Sequence, residues 1–202
     1  MSIIVTGIHT GIGKTICSAV LCQALGYDYW KPVQAGDLNN SDSIFIANTV
    51  THPLCKIHKE TYRLNTAASP HYAAAVDGIE IKKEAFALPA SGNKIIVETA
   101  GGIMSPLAND LLVIDLVKQL NLPVLIVSNN YLGSINHTLL SIAALQQKNI
   151  EIKGLVFSGS EVAASQSFIT AYTGVPLLFT IPEMKEINAA GIKKIADGIN
   201  LQ

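Results

Sequence analysis

The sequence predicts an α/β fold: one domain, residues 1–202, with a mostly parallel, doubly wound sheet and helices on both faces. Three observations predict it. Short apolar runs alternate with longer stretches of helical periodicity, the pattern of strands joined by crossover helices. The composition is 49% hydrophobic and 14% charged, which excludes disorder and favours a sheet covered on both sides. A glycine-rich turn, "TGIHTGIGKT" (6–15), joins the first apolar run to the first helical one.

The elements follow in order. "SIIVT" (2–6) is a buried strand, and "KTICSAVLCQAL" (14–25) is the helix after it, closed by Gly26. "YDYWKPV" (27–33) is a second strand, cut short by Pro32, and "SDSIFIANT" (41–49) a short helix. From about 50 to 68 the polarity is mixed and no element stands out. "SPHYAAAV" (69–76) starts a helix, with Ser69 as N-cap and Pro70 at the first helical position. "NKIIVE" (93–98) is a strand, "TAGGIMSPL" (99–107) a loop and "NDLLVIDLVKQL" (109–120) a helix. The strands "LPVLIVSN" (122–129), "IKGLVFS" (152–158) and "PLLFTI" (176–181) then alternate with helices from Ser134 to about Lys148, near 161–172 and near 188–200. No repeat, linker or low-complexity segment interrupts the series.

Bulk properties narrow the function. A net charge of −1 without a basic run gives nucleic-acid binding no electrostatic support. No apolar run reaches membrane-spanning length, and the N-terminus carries no basic leader, so no membrane partner is expected. Cys17, Cys22 and Cys55 match neither a zinc spacing nor C-x-x-C; they read as small buried hydrophobes of a reduced, cytoplasmic chain.

Sites in such folds lie beyond the carboxyl ends of the strands. After the first strand, Gly11, Ile12, Gly13, Lys14, Thr15 and Ile16 form a phosphate-binding loop running into a helix, with Thr15 offering a hydroxyl to magnesium. The usual G-x-x-x-x-G-K-[ST] spacing would put glycine at position 8, where Ile8 stands; the glycine comes one residue early, at Gly7. A dinucleotide fingerprint would need glycine at Ile16 and fails. Lys31 precedes a proline, so its extended backbone aims it at the same crest, although a solvated strand-end lysine has the same signature. Glu98 ends a buried strand, where a carboxylate needs either a salt bridge or a metal-bound nucleotide. Asp42 either caps its helix or joins Thr15 and Glu98 in an oxygen-only magnesium set.

Four stretches, "TGIHTGIGKT", "WKPVQAG", "VETAGGIMSPL" and "LGSINHTLL", resemble the dethiobiotin synthetase family of the P-loop NTPase superfamily, in order and over most of the chain. Its members share the lengthened loop, with threonine at the place of Thr10. The resemblance implies an ATP- and Mg2+-dependent ligase. It would carboxylate 7,8-diaminononanoate with carbon dioxide and close the ring to dethiobiotin, with ADP and phosphate, through a carbamate and a carbamic-phosphoric anhydride. By the same resemblance Lys14 and Lys31 are catalytic, and Thr15, Asp42 and Glu98 bind the metal. Lys31, Ser69, Pro70, Gly133 and Asn136 meet the diamine, the last two from the neighbouring subunit of a homodimer. Ser158, Pro182 and Glu183 border the nucleotide. The chain departs from the family at His9, Ala35, Thr99, Ser158 and Phe179. Ala35 removes a frequent hydroxyl near the substrate, and Ser158 replaces an asparagine that reads adenine.

Rival readings share the fold. A ParA/MinD-like switch ATPase would carry an additional lysine near the start of the loop, and residues 8–13 contain none. A cobyrinate amide synthase would need a glutaminase domain, for which 202 residues leave no room. A non-catalytic nucleotide-binding module leaves Lys31, Glu98 and "GSIN" together unexplained.

Overall fold

The computed structural model describes residues 1–199. Eleven strands and seven α-helices follow one another as β1 (Ile3–Gly7), α1 (Lys14–Leu25), β2 (Asp28–Trp30), β3 (Val33–Ala35), α2 (Asp42–Thr49), β4 (Ile57–His58), β5 (Tyr62–Leu64), α3 (Pro70–Asp77), β6 (Ile95–Glu98), β7 (Pro106–Ala108), β8 (Leu111–Leu112), α4 (Val113–Leu120), β9 (Val124–Asn129), α5 (Ser134–Gln147), β10 (Ile152–Ser158), α6 (Ala163–Thr173), β11 (Leu177–Ile181) and α7 (Ala189–Gly198). Seven strands make one sheet in the order β11-β10-β9-β1-β6-β2-β4, with every neighbouring pair parallel.

The chain leaves β1 in one direction, towards β2 and β4, and later returns past β1 to build β9, β10 and β11. Right-handed crossovers running in opposite directions put their helices on opposite faces. Accordingly α1, α2 and α7 pack on one another on one side, and α5 packs with α6 against β9 and β10 on the other. The reversal beside β1 opens a crevice at the carboxyl ends of the central strands. The core is the sheet itself: Ile4, Val5, Ile95, Ile96, Val97, Val124, Ile126, Val127 and Leu155 are all buried.

Most predicted elements stand, with local differences. Pro32 does more than shorten a strand: β2 stops at Trp30, and Val33–Ala35 forms a separate parallel ribbon with β5. The unassigned region 50–68 holds β4 and β5, two and three residues long, too short for any periodicity. The predicted loop at 99–107 contains part of the β7–β8 hairpin, and its return strand takes the start of the predicted helix, so α4 begins only at Val113. The last helix covers Ala189–Gly198, and the predicted residue 200 lies outside the described residues.

The amino end of the sheet has its own anchor. Asp28 is fully buried and accepts hydrogen bonds from the Lys56 N–H (3.0 Å), His58 Nε2 (2.9 Å), Ser91 Oγ (2.7 Å) and Asn93 Nδ2 (3.1 Å). Burial alone would raise its carboxyl pKa, but these partners hold it below the ordinary value. A carboxylate lowered in this way stabilises the fold fully above about pH 4 and loses that contribution as pH falls through its folded pKa. Asp28→Asn should therefore cost about 2 kcal/mol at neutral pH, a drop of several degrees in Tm. The gap from the parent should narrow below about pH 4 in thermal melts recorded across pH; a gap independent of pH would remove the carboxylate charge from this account.

Candidate active site

The loop between β1 and α1 is shaped by two glycines. A Cβ at Gly7 would lie 2.7 Å from Ile12 Cδ1, so the early glycine is where the loop folds back on its own helix entrance. Gly13 has φ 95°, and a Cβ there would come within 2.3 Å of Ser158 Oγ. Only glycine meets both demands. Lys14 opens α1 buried, its Nζ donating to the His9 carbonyl at 2.9 Å, so the ammonium is folded over the loop. Burial, with the Lys31 charge adding to it and Glu98 opposing, lowers the Lys14 pKa to about 8.

Four residues, three from α1, α2 and β6 and one from the segment after β2, meet beside this loop. Thr15 Oγ1 is 2.9 Å from Asp42 Oδ1 and 2.8 Å from Glu98 Oε1. Lys31 Nζ pairs with Asp42 and lies 3.5 Å from Glu98 Oε1. Glu98 is completely buried, and its second oxygen accepts the Tyr29 phenol at 3.0 Å. Next to the cluster lies a cavity of about 480 Å³, lined among others by Lys31, Gln34, Ala35, Ser69, Pro70 and Ser105. An apolar groove of about 450 Å³ shares Thr10 and Ser105 with it and runs on to Met104, His137 and Leu140.

The structure thus brings Lys14, Thr15, Lys31, Asp42 and Glu98 together, with Ser69 and Pro70 across the cavity. Two of the alternatives left open by the sequence resolve. Ser41, not Asp42, caps α2, accepting from the Ile44 N–H at 3.4 Å, so the Asp42 carboxylate is available to Thr15 and Lys31. Lys31 is buried rather than a solvated strand end, and it gives Glu98 a cationic partner within the chain. Ser69 occupies the N-cap position of α3, but its hydroxyl bonds His71 Nδ1 at 3.1 Å instead of a backbone N–H.

Other predicted residues stand apart. Gly133 and Asn136, at the start of α5, are exposed and do not line the cavity. Ser158 is buried against Gly13, while Pro182 and Glu183 follow β11 on the surface, Glu183 accepting from Ser160 Oγ at 3.0 Å. Thr99 hydrogen-bonds Thr6 between neighbouring strand ends (2.9 Å). Cys17 and Cys22 are buried as expected, but Cys55 is only half-buried. Sequence reasoning missed Tyr29 and Gln34. Tyr29 looked like any aromatic strand residue, and Gln34 stood unremarked inside "KPVQAG" although that motif had been singled out.

Among the described residues no group of three or more His, Cys, Asp or Glu side chains could hold a metal ion. Two carboxylates and a hydroxyl within hydrogen-bond reach of one another suit a hard cation that takes its remaining ligands from phosphate and water. Among the described residues, no helix is long and apolar enough to cross a membrane.

Comparison with known proteins adds the family. The model of a family described as an AAA domain matches residues 1–190. The ATP-dependent dethiobiotin synthetase BioD of Cytophaga hutchinsonii is 44% identical over 198 residues, covering 96% of both chains. That of Rhodopseudomonas palustris is 42% identical over 191 residues, covering 95% of this chain and 90% of its own. The chain belongs to the dethiobiotin synthetase family. A Chlamydia pneumoniae dethiobiotin synthetase, 39% identical across 96% of this chain and 87% of its own, extends the likeness. Solved structures share the fold more distantly. A ParA family ATPase from Chlorobium tepidum superposes with a TM-score of 0.60 at 12% identity, each chain covered to 98%. The Pyrococcus furiosus cell division ATPase MinD gives 0.56 at 14%, each covered to 97%. At those identities the likeness is one of fold alone, so the switch-ATPase reading gains nothing from it, whereas the dethiobiotin synthetase relatives match throughout.

The loop geometry makes a direct prediction. Gly13→Ala must strain a left-handed backbone and push against Ser158, so affinity for a magnesium-bound, non-hydrolysable ATP analogue should fall at least about tenfold while helix content stays unchanged. Titration by calorimetry beside circular dichroism checks it, and parental affinity would show that the loop tolerates the side chain.

Proposed function

We infer that this protein is an ATP-dependent dethiobiotin synthetase, making dethiobiotin, ADP and phosphate from 7,8-diaminononanoate, carbon dioxide and ATP. One observation supports it above the rest: Lys31 and Asp42, with Thr10 of the glycine-rich turn, line one cavity large enough for a small diamine, and Thr15 and Glu98 are in direct contact with that pair. Charge builds up there at every stage of such a reaction, which suits a crest furnished with two buried lysines, Lys14 and Lys31.

In this reading one amine takes up carbon dioxide as a carbamate, and a carbamate oxygen attacks the γ-phosphorus of ATP, releasing ADP. Lys14 holds the phosphates at the entrance of α1, where Gly11, Ile12, Gly13, Thr15 and Ile16 present backbone N–H groups. Lys31 balances charge between carbamate and transferred phosphoryl group. Thr15, Asp42 and Glu98 would hold Mg2+, which when bound neutralises phosphate oxygens. The free amine then attacks the carbamoyl carbon, the carbon–oxygen bond to phosphate breaks, and the ring closes. No covalent bond to the protein is needed; positioning and charge do the work.

Ser69 and Pro70 border the diamine head, and the apolar groove beyond Thr10 and Ser105 suits its aliphatic chain. Gly133 and Asn136, exposed and not part of the lining of this chain's own cavity, suit a homodimer in which each subunit completes its neighbour's site. Ser158, Pro182 and Glu183 border the nucleotide base. One domain acting in the cytoplasm on small molecules, with neither nucleic acid nor membrane as partner, completes the proposal.

The test is mass detection of the ring product in reactions that omit diamine, bicarbonate, magnesium or ATP in turn. Product that needs all four supports the reading, and ATP hydrolysis without product would discard it. In the same assay Lys31→Gln should keep nucleotide affinity and lose about a hundredfold or more in turnover; unchanged product formation would take Lys31 out of the mechanism. Asn136→Ala should raise the diamine KM severalfold and leave the ATP KM alone, whereas equal KM values in mutant and parent would refute the shared site.

A further inference from the structure

Gln34 sits in the middle of β3, opposite Arg63 of β5, and lines the cavity next to Lys31. Only 6% of it is exposed. Its Nε2 donates to the Gly36 carbonyl at 3.0 Å. A carbonyl can only accept, so that contact fixes which end of the amide is NH2 and leaves Oε1 as the free end. Oε1 is buried without a hydrogen-bond partner and shielded from bulk water. An acceptor in that condition is costly, and one beside a cavity calls for a donor that the protein itself does not supply. The adjacent Ala35, which also lines the cavity, has no hydroxyl to offer in its place.

We propose that Gln34, through Oε1, accepts a hydrogen bond from the free amine of the diamine and orients its lone pair for ring closure. The inference rests on the dethiobiotin synthetase reading and adds to it a residue to which that reading gives no role. The chemistry favours a neutral acceptor at this point. Lys31 already meets the anionic carbamate, so the group left for Gln34 is the uncharged nucleophile. A carboxylate would hold that nitrogen as an ammonium with no lone pair, whereas an amide oxygen binds one N–H and leaves the pair directed away from it. The nitrogen then bonds to the carbamoyl carbon while the carbon–oxygen bond to phosphate breaks. The departing phosphate takes the bonding pair and receives the surplus amine proton.

The charged and titratable groups around this point are Lys31, Asp37 and Asp42 on the cavity wall, Glu98 behind Lys31, and Arg63 on β5, which is held by Glu60. None changes in the test, so a pH effect is attributable to position 34. Two variants of similar size separate the roles. Gln34→Met and Gln34→Glu both lose the Nε2 bond to Gly36, but only the glutamate keeps an acceptor. Gln34→Met should weaken diamine binding about tenfold by calorimetry without moving the pH–rate profile or the ATP affinity. Gln34→Glu should bind diamine at least as well as the parent, with the rising limb of its kcat profile moved up by about one pH unit or more. A purely structural Gln34 would give both variants the same loss of Tm, with diamine affinity and profile unmoved, and that result overturns the proposal while ring formation by the parent keeps the function. If the parent neither binds diamine nor makes the ring, the function fails and the inference with it.

Discussion

The buried carboxylate of Glu98 is the constraint around which the rest of the structure is arranged. It ends a central strand with no access to water, where an uncompensated charge would cost more than most domains have in net stability. Compensation comes from three directions: the Thr15 hydroxyl at the start of α1, the Tyr29 phenol from β2, and the Lys31 ammonium just beyond β2. Asp42 joins through Thr15 and Lys31 and brings α2 into the same cluster. One carboxylate therefore draws four elements to a single crest, and a buried charge cluster of this kind is poor value as structure alone because an apolar replacement would serve as well.

The two ends of the sheet use buried acids differently. At the amino end Asp28 is surrounded by neutral donors and a histidine, which leave no room for a ligand and tie β2 to β4 and to the segment before β6. At the carboxyl end Glu98 and Asp42 share a cation, Lys31, and the Thr15 hydroxyl, beside an open cavity.

Much of this could be read from the sequence. Helix α1 was legible to the residue because a glycine loop precedes it and Gly26 closes it in a left-handed turn. Thr15, Lys31 and Glu98 could be expected to converge because residues at the ends of parallel strands share one crest, and the ligase family was legible in four motifs, in agreement with relatives that match over 95% and 96% of the chain. What stayed hidden depended on tertiary context. The strands β4 and β5 exist through pairing, not pattern. The role of Asp42 turned on whether it or Ser41 capped α2, a choice of one residue that no local signal decides. That one end of the Gln34 amide lacks a partner follows from its burial and the Gly36 carbonyl, neither visible in "KPVQAG".

The central claim is that this crest joins ATP to the diamine through a phosphorylated carbamate. Supplying carbon dioxide labelled with 18O tests it most directly. A carbamate oxygen that attacks phosphorus must leave with it, so the account predicts one labelled oxygen in each inorganic phosphate, formed in step with the ring. Unlabelled phosphate released alongside ring product would contradict it.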